Sequence, residues 1–562
     1  MMYSNLIKVI FILILFYQGP VQSKVKDINK FDHKDLSNYF SGLISFNQNK
    51  NTEALNFFNS AKILKDQHTP YLQGYIKILV QEKKTNIAIK ELKKNLNKEN
   101  IDFFEGYLLL LLDSVQQKDF KKSKQYLSKI SELSQNNTFN LIIYESLKNY
   151  IYLFENKKKF VNKSKFGNLN LIAETFENCY LDLNETKNSY TKLVSTNEPD
   201  YSRYKFFYIN YLLKKNQIEQ VRKLAKKINT NRSNLLISQT VEWVDSENFK
   251  KINDIFSCSE ENHILSEFLY LIANLYSSEG IYDVSNFYVN ISNFLNPKFI
   301  YNLSLLAENH IFNKNYTLAK NILNKFDKKD KSYFWYKVKK NTLIISEKSG
   351  DEKAIKFLNL QFKKIKKPNV KTLYDYANLM KNFQEHNIAI NYYTKLLSIL
   401  KKDSIFYSEI LYRRGGSYER LKLFEKSDED LLQSLKLNPE DAYVLNYLAY
   451  SWLERNFKIE IAIDMLERAY KKESDSPYIL DSIGWAYYLI GDYTKAEKFL
   501  KQAIEIMPYD PIINDHYGDI LWSLNRKMQA QYHWKSVLKL EDTENDMKEK
   551  IKLKILFGPK NT

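Results

Sequence analysis

The sequence predicts an all-α fold of stacked helix pairs, a right-handed α-α superhelix of roughly 12–14 helix-turn-helix units. Three observations lead there. Helix breakers are scarce, with 13 Gly and 10 Pro in 562 residues, and little of the chain alternates apolar and polar as half-buried strands do. A phrase of small and large residues recurs about every 34 positions, which is the signature of an array. At this length the chain is also too long for one compact core.

The elements follow in chain order. "MMYSNLIK" carries one Lys, Val9–Tyr17 is apolar, and "QGPVQS" ends in a Val-x-Ser pattern before Lys24. That run suits the apolar core of a signal peptide and is short for a bilayer span. The expectation is a signal peptide over 1–23, cut near Ser23, and a periplasmic mature chain; an uncleaved N-terminal anchor is the alternative. No Cys stands near the cut, so a lipid anchor is not supported.

Over 24–134, Gly42 leads Ala54, Phe58 and Ala61; Ile76 leads Ala88 and Leu92; Leu111 leads Ser123 and Leu127. Over 135–262 the phrase degrades, although "YKFFYINYLLKKNQIEQVRKLAKKI" keeps helical periodicity. Over 263–402 it returns in Ala273 with Ser285, Ala307 with Ala319, and Ala377 with Ala389 and Tyr393. The clearest units lie in 403–545, anchored at Gly415, Ala449, Gly484 and Gly518. After Gly484 come Tyr487, a Gly491-Asp492 turn, Ala496, Leu500, Ala503 and Pro508. The remainder, 546–562, reads as a basic C-terminal tail.

Packing explains the phrase. The anchor and the small residue twelve later sit where the two helices of a unit touch, and the large residues wedge between them. Pro508 ends the second helix, because the residue before a proline avoids the α region. One unit cannot bury its own apolar face, so neighbours must stack.

This phrase resembles the tetratricopeptide repeat family. The resemblance implies that the first helix of each unit lines the inner side of the superhelix, and that positions three and six before the anchor, and one and four after it, face a groove. In the C-terminal units those positions hold Tyr412 and Glu419; Tyr443, Asn446 and Tyr450; Tyr478, Asp481, Trp485 and Tyr488; and Asp515, Asp519 and Trp522. They form an aromatic ladder with Asn and Asp between the rings. Aromatic rings suit recognition, since they offer much contact area with few torsions to freeze. The aspartates favour a cationic partner. The Lys and Asn clamp that some members of the family close on a terminal carboxylate is not matched, because these positions are acidic or aromatic.

Little else in the sequence points to chemistry. The chain has seven His and two Cys, with no His-Glu-x-x-His, Cys-x-x-Cys, phosphate loop or nucleophile elbow. "NDHYGD" brings Asp515, His516 and Asp519 together, residue types that could ligand a metal or exchange protons, but Gly518 makes it the start of a repeat helix. No catalytic, cofactor or metal residue is expected. Cys179 and Cys258 are either a disulfide or two buried thiols. The net charge of +18 is spread in pairs such as Lys121-Lys122 and Lys226-Lys227, which reads as solvated helix faces and not as a nucleic-acid surface.

The expected function is therefore an exported, non-enzymatic scaffold binding protein or peptide partners, with membrane contact only through an uncleaved signal segment. The C-terminal repeats also resemble those of long exported proteobacterial proteins, among them an outer-membrane lipoprotein that binds a carboxyl-terminal processing protease and presents cell-wall hydrolases to it. That resemblance implies an adaptor for a periplasmic protease and its substrates. The alternative is a chaperone or assembly factor for outer-membrane or polysaccharide components.

Overall fold

The computed structural model describes residues 33–559 apart from 67, 97–100, 161–165, 196–198, 232 and 542. The leader Val9–Tyr17 and the cut near Ser23 lie outside the described residues. The described residues form 30 α-helices and no strand, and none of these helices is long and apolar enough to cross a membrane. Contacts divide the chain into two units, Met1–Ile344 and Ile345–Thr562, with the break inside the block 263–402.

The hairpin recurs because its turn chemistry recurs. In the unit anchored at Gly484, the helix Pro477–Leu489 ends at Gly491, whose φ of +83° suits glycine. The amide of Asp492 returns to the Tyr487 carbonyl at 2.9 Å, closing a Schellman turn. Asp492 then caps the next helix, Tyr493–Ile506, by accepting from the Lys495 amide at 3.1 Å. Other turns put a side-chain-bearing residue in the same left-handed place, such as Lys83, Lys118, Gln384 and Lys422. The anchor works by close approach: a Cβ on Gly484 would overlap Leu500 Cδ2 and lie 3.3 Å from the Ala496 carbonyl. Gly518 is closed in the same way by Trp534.

Unit 1 is more than a row of neighbours. Its helix Thr69–Gln81 packs on Tyr282–Leu295, and Phe104–Gln116 packs on Glu261–Ser278. Gln81 Nε2 donates to the Asp283 carbonyl at 3.0 Å, 202 residues away. Phe139 meets Tyr276, and Tyr150 meets Phe268, with ring centroids 4.8 and 5.8 Å apart. In consequence every residue from Ser285 to Ser292 is buried. This corrects the picture of repeats that touch only their neighbours: here the chain returns and packs on its own earlier repeats. Some of the polar groups this buries are paired, as where Asn309 Nδ2 donates to Ser285 Oγ at 2.8 Å and to Asn286 Oδ1 at 2.9 Å, whereas Asn290 Oδ1 has no donor.

The cysteine alternatives resolve to a disulfide. Cys179 and Cys258, 79 residues apart and each 5% exposed, are bridged with Cα atoms 5.9 Å apart. Residues two units apart in a straight stack would be too distant. They meet because Phe176 and Phe256 pack together, 5.7 Å between centroids, and because Asn210 Nδ2 holds the Phe256 carbonyl at 3.0 Å.

Unit 2 keeps the regular stack. Its first helices, Ile405–Arg420, Ala442–Glu454, Pro477–Leu489 and Pro511–Ser523, pack directly on one another in succession. Their second helices, Phe424–Leu437, Ile459–Lys472, Tyr493–Ile506 and Lys527–Val537, make no comparable contact with each other. The first helices therefore line the tighter, inner side of the curve. The stretch 546–562 that reads as a basic tail mostly continues a thirteen-residue helix, Asn545–Phe557, which packs against Lys527–Val537.

Candidate functional site

The inner face of unit 2 follows from helix geometry. Positions spaced three, four and three apart fall on one side of a 3.6-residue helix, so each first helix presents the same four places. Asp441 and Asp510 fix where two of these helices begin. Asp441 accepts from the Tyr443 amide at 3.2 Å, and Asp510 accepts from the Ile512 and Ile513 amides at 2.9 and 3.0 Å.

The structure separates the expected residues into an open part and a closed part. Tyr443 and Tyr478, one repeat apart, are each 57% exposed. Asn446 is half-buried, and its Oδ1 is buried without a hydrogen-bond partner. Tyr412 stands edge-on to Tyr447, whose hydroxyl donates to Glu419 at 3.0 Å. Those two positions are thus tied to each other through a ring that the register did not single out.

Farther along the face the groups are engaged with one another. Asp481 accepts from His516 Nδ1 at 2.9 Å. Trp485 stacks on the His516 ring, centroids 4.2 Å apart, and on Tyr488 at 4.8 Å, while Tyr450 lies 6.4 Å from the same imidazole. Asp515 and Asp519 both accept from Lys554 of the last helix, at 2.7 and 2.8 Å. The second oxygen of Asp519, Oδ1, is buried without a donor. Trp522 is covered by Gly558, where a Cβ would come within 2.6 Å of the indole. The aspartates expected to attract a foreign cation already hold the chain's own.

The electrostatics follow. Burial works against an imidazolium at His516, but the Asp481 carboxylate, with Asp515 and Asp519 behind it, overrides burial and lifts the pKa from 6.5 to about 9. Burial raises Asp519 from 3.8 to about 6, although Lys554 opposes it. Burial likewise pushes the Tyr450 and Tyr488 phenols up.

Two residues of this cluster were not among the expected groove positions. His516 lies two before the Gly518 anchor, off the four-place face, and reaches Asp481 across one repeat. Lys554 belongs to the stretch read as a tail. The signal for it was the spacing of Met547, Ile551 and Ile555, a helical stripe. Among the described residues no group of three His, Cys, Asp or Glu side chains could hold a metal ion. In "NDHYGD" the reason is direct: His516 faces Asp481, and the two aspartates face Lys554.

Stacked helical hairpins with an aromatic inner face define a helical repeat protein. Residues 408–441 and 478–510 match the description of the tetratricopeptide repeat. The chain is similar to the TPR repeat-containing protein PA4667 of Pseudomonas aeruginosa, with 32% identity over 110 residues, 20% of this chain and 18% of that protein. It is also similar to the peptidyl-prolyl cis-trans isomerase CYP7 of Saccharomyces cerevisiae, with 27% identity over 22% of this chain and 31% of that protein. The chain thus spans less than a third of either relative. Similar solved structures include the thermophilic TPR protein TTC0263 of Thermus thermophilus, with 19% identity and a TM-score of 0.30 over 34% of this chain and 100% of that one. They also include a tetratricopeptide repeat protein of Parabacteroides merdae, with 18% identity and a TM-score of 0.31 over 39% and 86%.

Proposed function

We propose that this chain is an exported, non-enzymatic scaffold that holds partner proteins on the inner face of its C-terminal repeats. The observation that carries the reading is the pair Tyr443 and Tyr478. Each sits at the same place of successive repeats and leaves more than half its surface in water, on helices whose other side is packed. Aromatic anchors of this sort dominate protein interfaces. In unit 1, by contrast, helices from distant repeats pack on one another. Export is supported by the buried Cys179–Cys258 disulfide, since such bonds persist in oxidising compartments.

The finer reading is an adaptor that brings substrates to a periplasmic protease. The test is crosslinking in living cells through a photoreactive residue placed at Tyr443 or Tyr478, with Lys501, exposed on a second helix, as the control position. The same adduct is expected from both tyrosine positions and not from Lys501. Equal yield at all three would dismiss the inner face as the binding surface. For the adaptor role, a purified protease recovered in that adduct should cleave a wall hydrolase faster when this chain is added, and an unchanged rate would discard it.

A further inference from the structure

Lys554 is the feature of unit 2 that the packing of a terminal helix does not require. A helix that only caps a stack presents apolar groups inward and polar groups outward. Asn545–Phe557 does the reverse at its C-terminal end. Leu553, Leu556 and Phe557 are 45, 70 and 62% exposed, while the Lys554 side chain is 10% exposed. Its ammonium bridges Asp515 and Asp519, one turn apart on Pro511–Ser523.

Without that ammonium the two carboxylates would face each other at i, i+4 in a desolvated place, which is unfavourable. His516 is committed to Asp481 and does not replace it. Lys554 leaves one acceptor of the site unused. Asp519 is 3% exposed, and its Oδ1 still meets no donor. Tyr488, whose phenol feels both Asp519 and Lys554, lies beside the pair.

The occupant is held thinly. Among the helix's thirteen residues, Ile551 and Lys554 are buried and Met547 and Ile555 partly so, whereas Pro511–Ser523 buries eight of its own. Elements with so few buried contacts open at the lowest free energy in a protein. We propose that the acidic end of this face is a recognition subsite for a lysine side chain on a partner segment, and that Lys554 holds it as a built-in occupant that the partner displaces. This rests on the reading of the inner face as a binding surface. It adds the chemistry of the partner, a lysine in an amphipathic segment, and a reason the face is closed at one end when no partner is present.

The test uses the full chain and a fluorescein-labelled synthetic peptide with the sequence of residues 545–558. The double substitution Ile551→Asp/Lys554→Glu frees the tethered helix. Because tethering supplies a roughly millimolar effective concentration, the peptide should bind the freed chain at least about tenfold more tightly than the unaltered chain. The same peptide carrying Lys554→Gln should lose about tenfold, and adding Asp515→Asn and Asp519→Asn to the freed chain should remove the preference for lysine. Should the double variant fail to fold by thermal unfolding, Lys554→Gln alone takes its place, with the same two peptides. Equal binding of the lysine and glutamine peptides would overturn the proposal and leave the helix as an apolar cap, as would no binding of either. The crosslinks at Tyr443 and Tyr478 are read separately. Adducts there with no lysine preference retain the scaffold and discard the subsite; a lysine preference without adducts does the opposite.

Discussion

Arg203 shows what a single side chain can be asked to do in this fold. It is 6% exposed, and its guanidinium donates to Glu267 at 2.8 and 2.7 Å and to Asn302 at 2.7 Å. The rings of Tyr270 and Tyr301 lie 4.0 and 4.9 Å from it. Two ions buried together gain little over an apolar pair, but removing one strands the other. Arg203→Met should therefore lower the stability of unit 1 by about 3–5 kcal/mol in a denaturant titration. A loss under about 1 kcal/mol would mean that Glu267 rehydrates freely.

His516 gives unit 2 a pH dependence of definite sign. Its folded pKa is raised from 6.5 to about 9, so the stability it contributes is complete below 6.5 and disappears as the pH climbs through 9. Asp519 acts in the same direction at lower pH: its pKa rises from 3.8 to about 6, so stability falls as the pH passes through that window. Amide exchange of Pro511–Ser523 should report weaker protection at pH 9 than at pH 6.5, after correction for intrinsic exchange. His516→Gln should flatten the difference. An unchanged slope in the variant would assign the dependence to other groups.

At the scale of the element, turn and crosslink dominate. Lys422 stands at φ +59°, in a turn where the Leu423 amide returns to the Tyr418 carbonyl at 2.9 Å. A side chain in that region is strained by about 1–2 kcal/mol, and glycine gives part of this back through greater freedom when unfolded. Lys422→Gly should stabilise unit 2 by about 0.5–1 kcal/mol, read as a higher denaturation midpoint. A lower midpoint would show that the lysine side chain contributes something the turn does not explain. In unit 1, reduction of Cys179–Cys258 frees a loop of 79 residues. The chain-entropy relation puts the loss at about 4.5 kcal/mol, to be measured by unfolding with and without reductant.

The helices themselves were legible because their signals are local. Gly484, Ala496 and Leu500 announce a close crossing, and the crossing is there. The Gly491–Asp492 turn has the backbone and cap its residues suit. Where each groove residue spends its polar groups was not legible. Asp481 and Asp515 each stand three before the anchor of successive repeats, yet one holds a histidine of the next repeat and the other a lysine of the last helix. Nothing in the local sequence of either names its partner.

Across the whole molecule the two units solve burial differently. Unit 2 joins consecutive helices, whereas unit 1 adds contacts such as Gln81 with Asp283, 202 residues apart. Distant contacts delay folding, because the loop must close before they form. In refolding followed by pulsed amide exchange, with the disulfide reduced, helices Pro477–Leu489 and Tyr493–Ile506 should be protected before Glu261–Ser278 and Tyr282–Leu295. Simultaneous protection would mean that the return contacts do not limit unit 1.

The amino-acid order by itself determined the helical hairpin, its anchor glycines, the stacking of one hairpin on the next and the register that points Tyr443 and Tyr478 off the inner side. These rest on interactions among residues close in the chain or one repeat apart, and a repeating pattern specifies such neighbours directly. Only the tertiary structure decided that Cys179 meets Cys258, that unit 1 returns on itself and that Lys554 sits between Asp515 and Asp519. Those pairings join positions from 35 to 202 residues apart. They depend on how small rotations accumulate along the stack, a quantity that no single repeat carries.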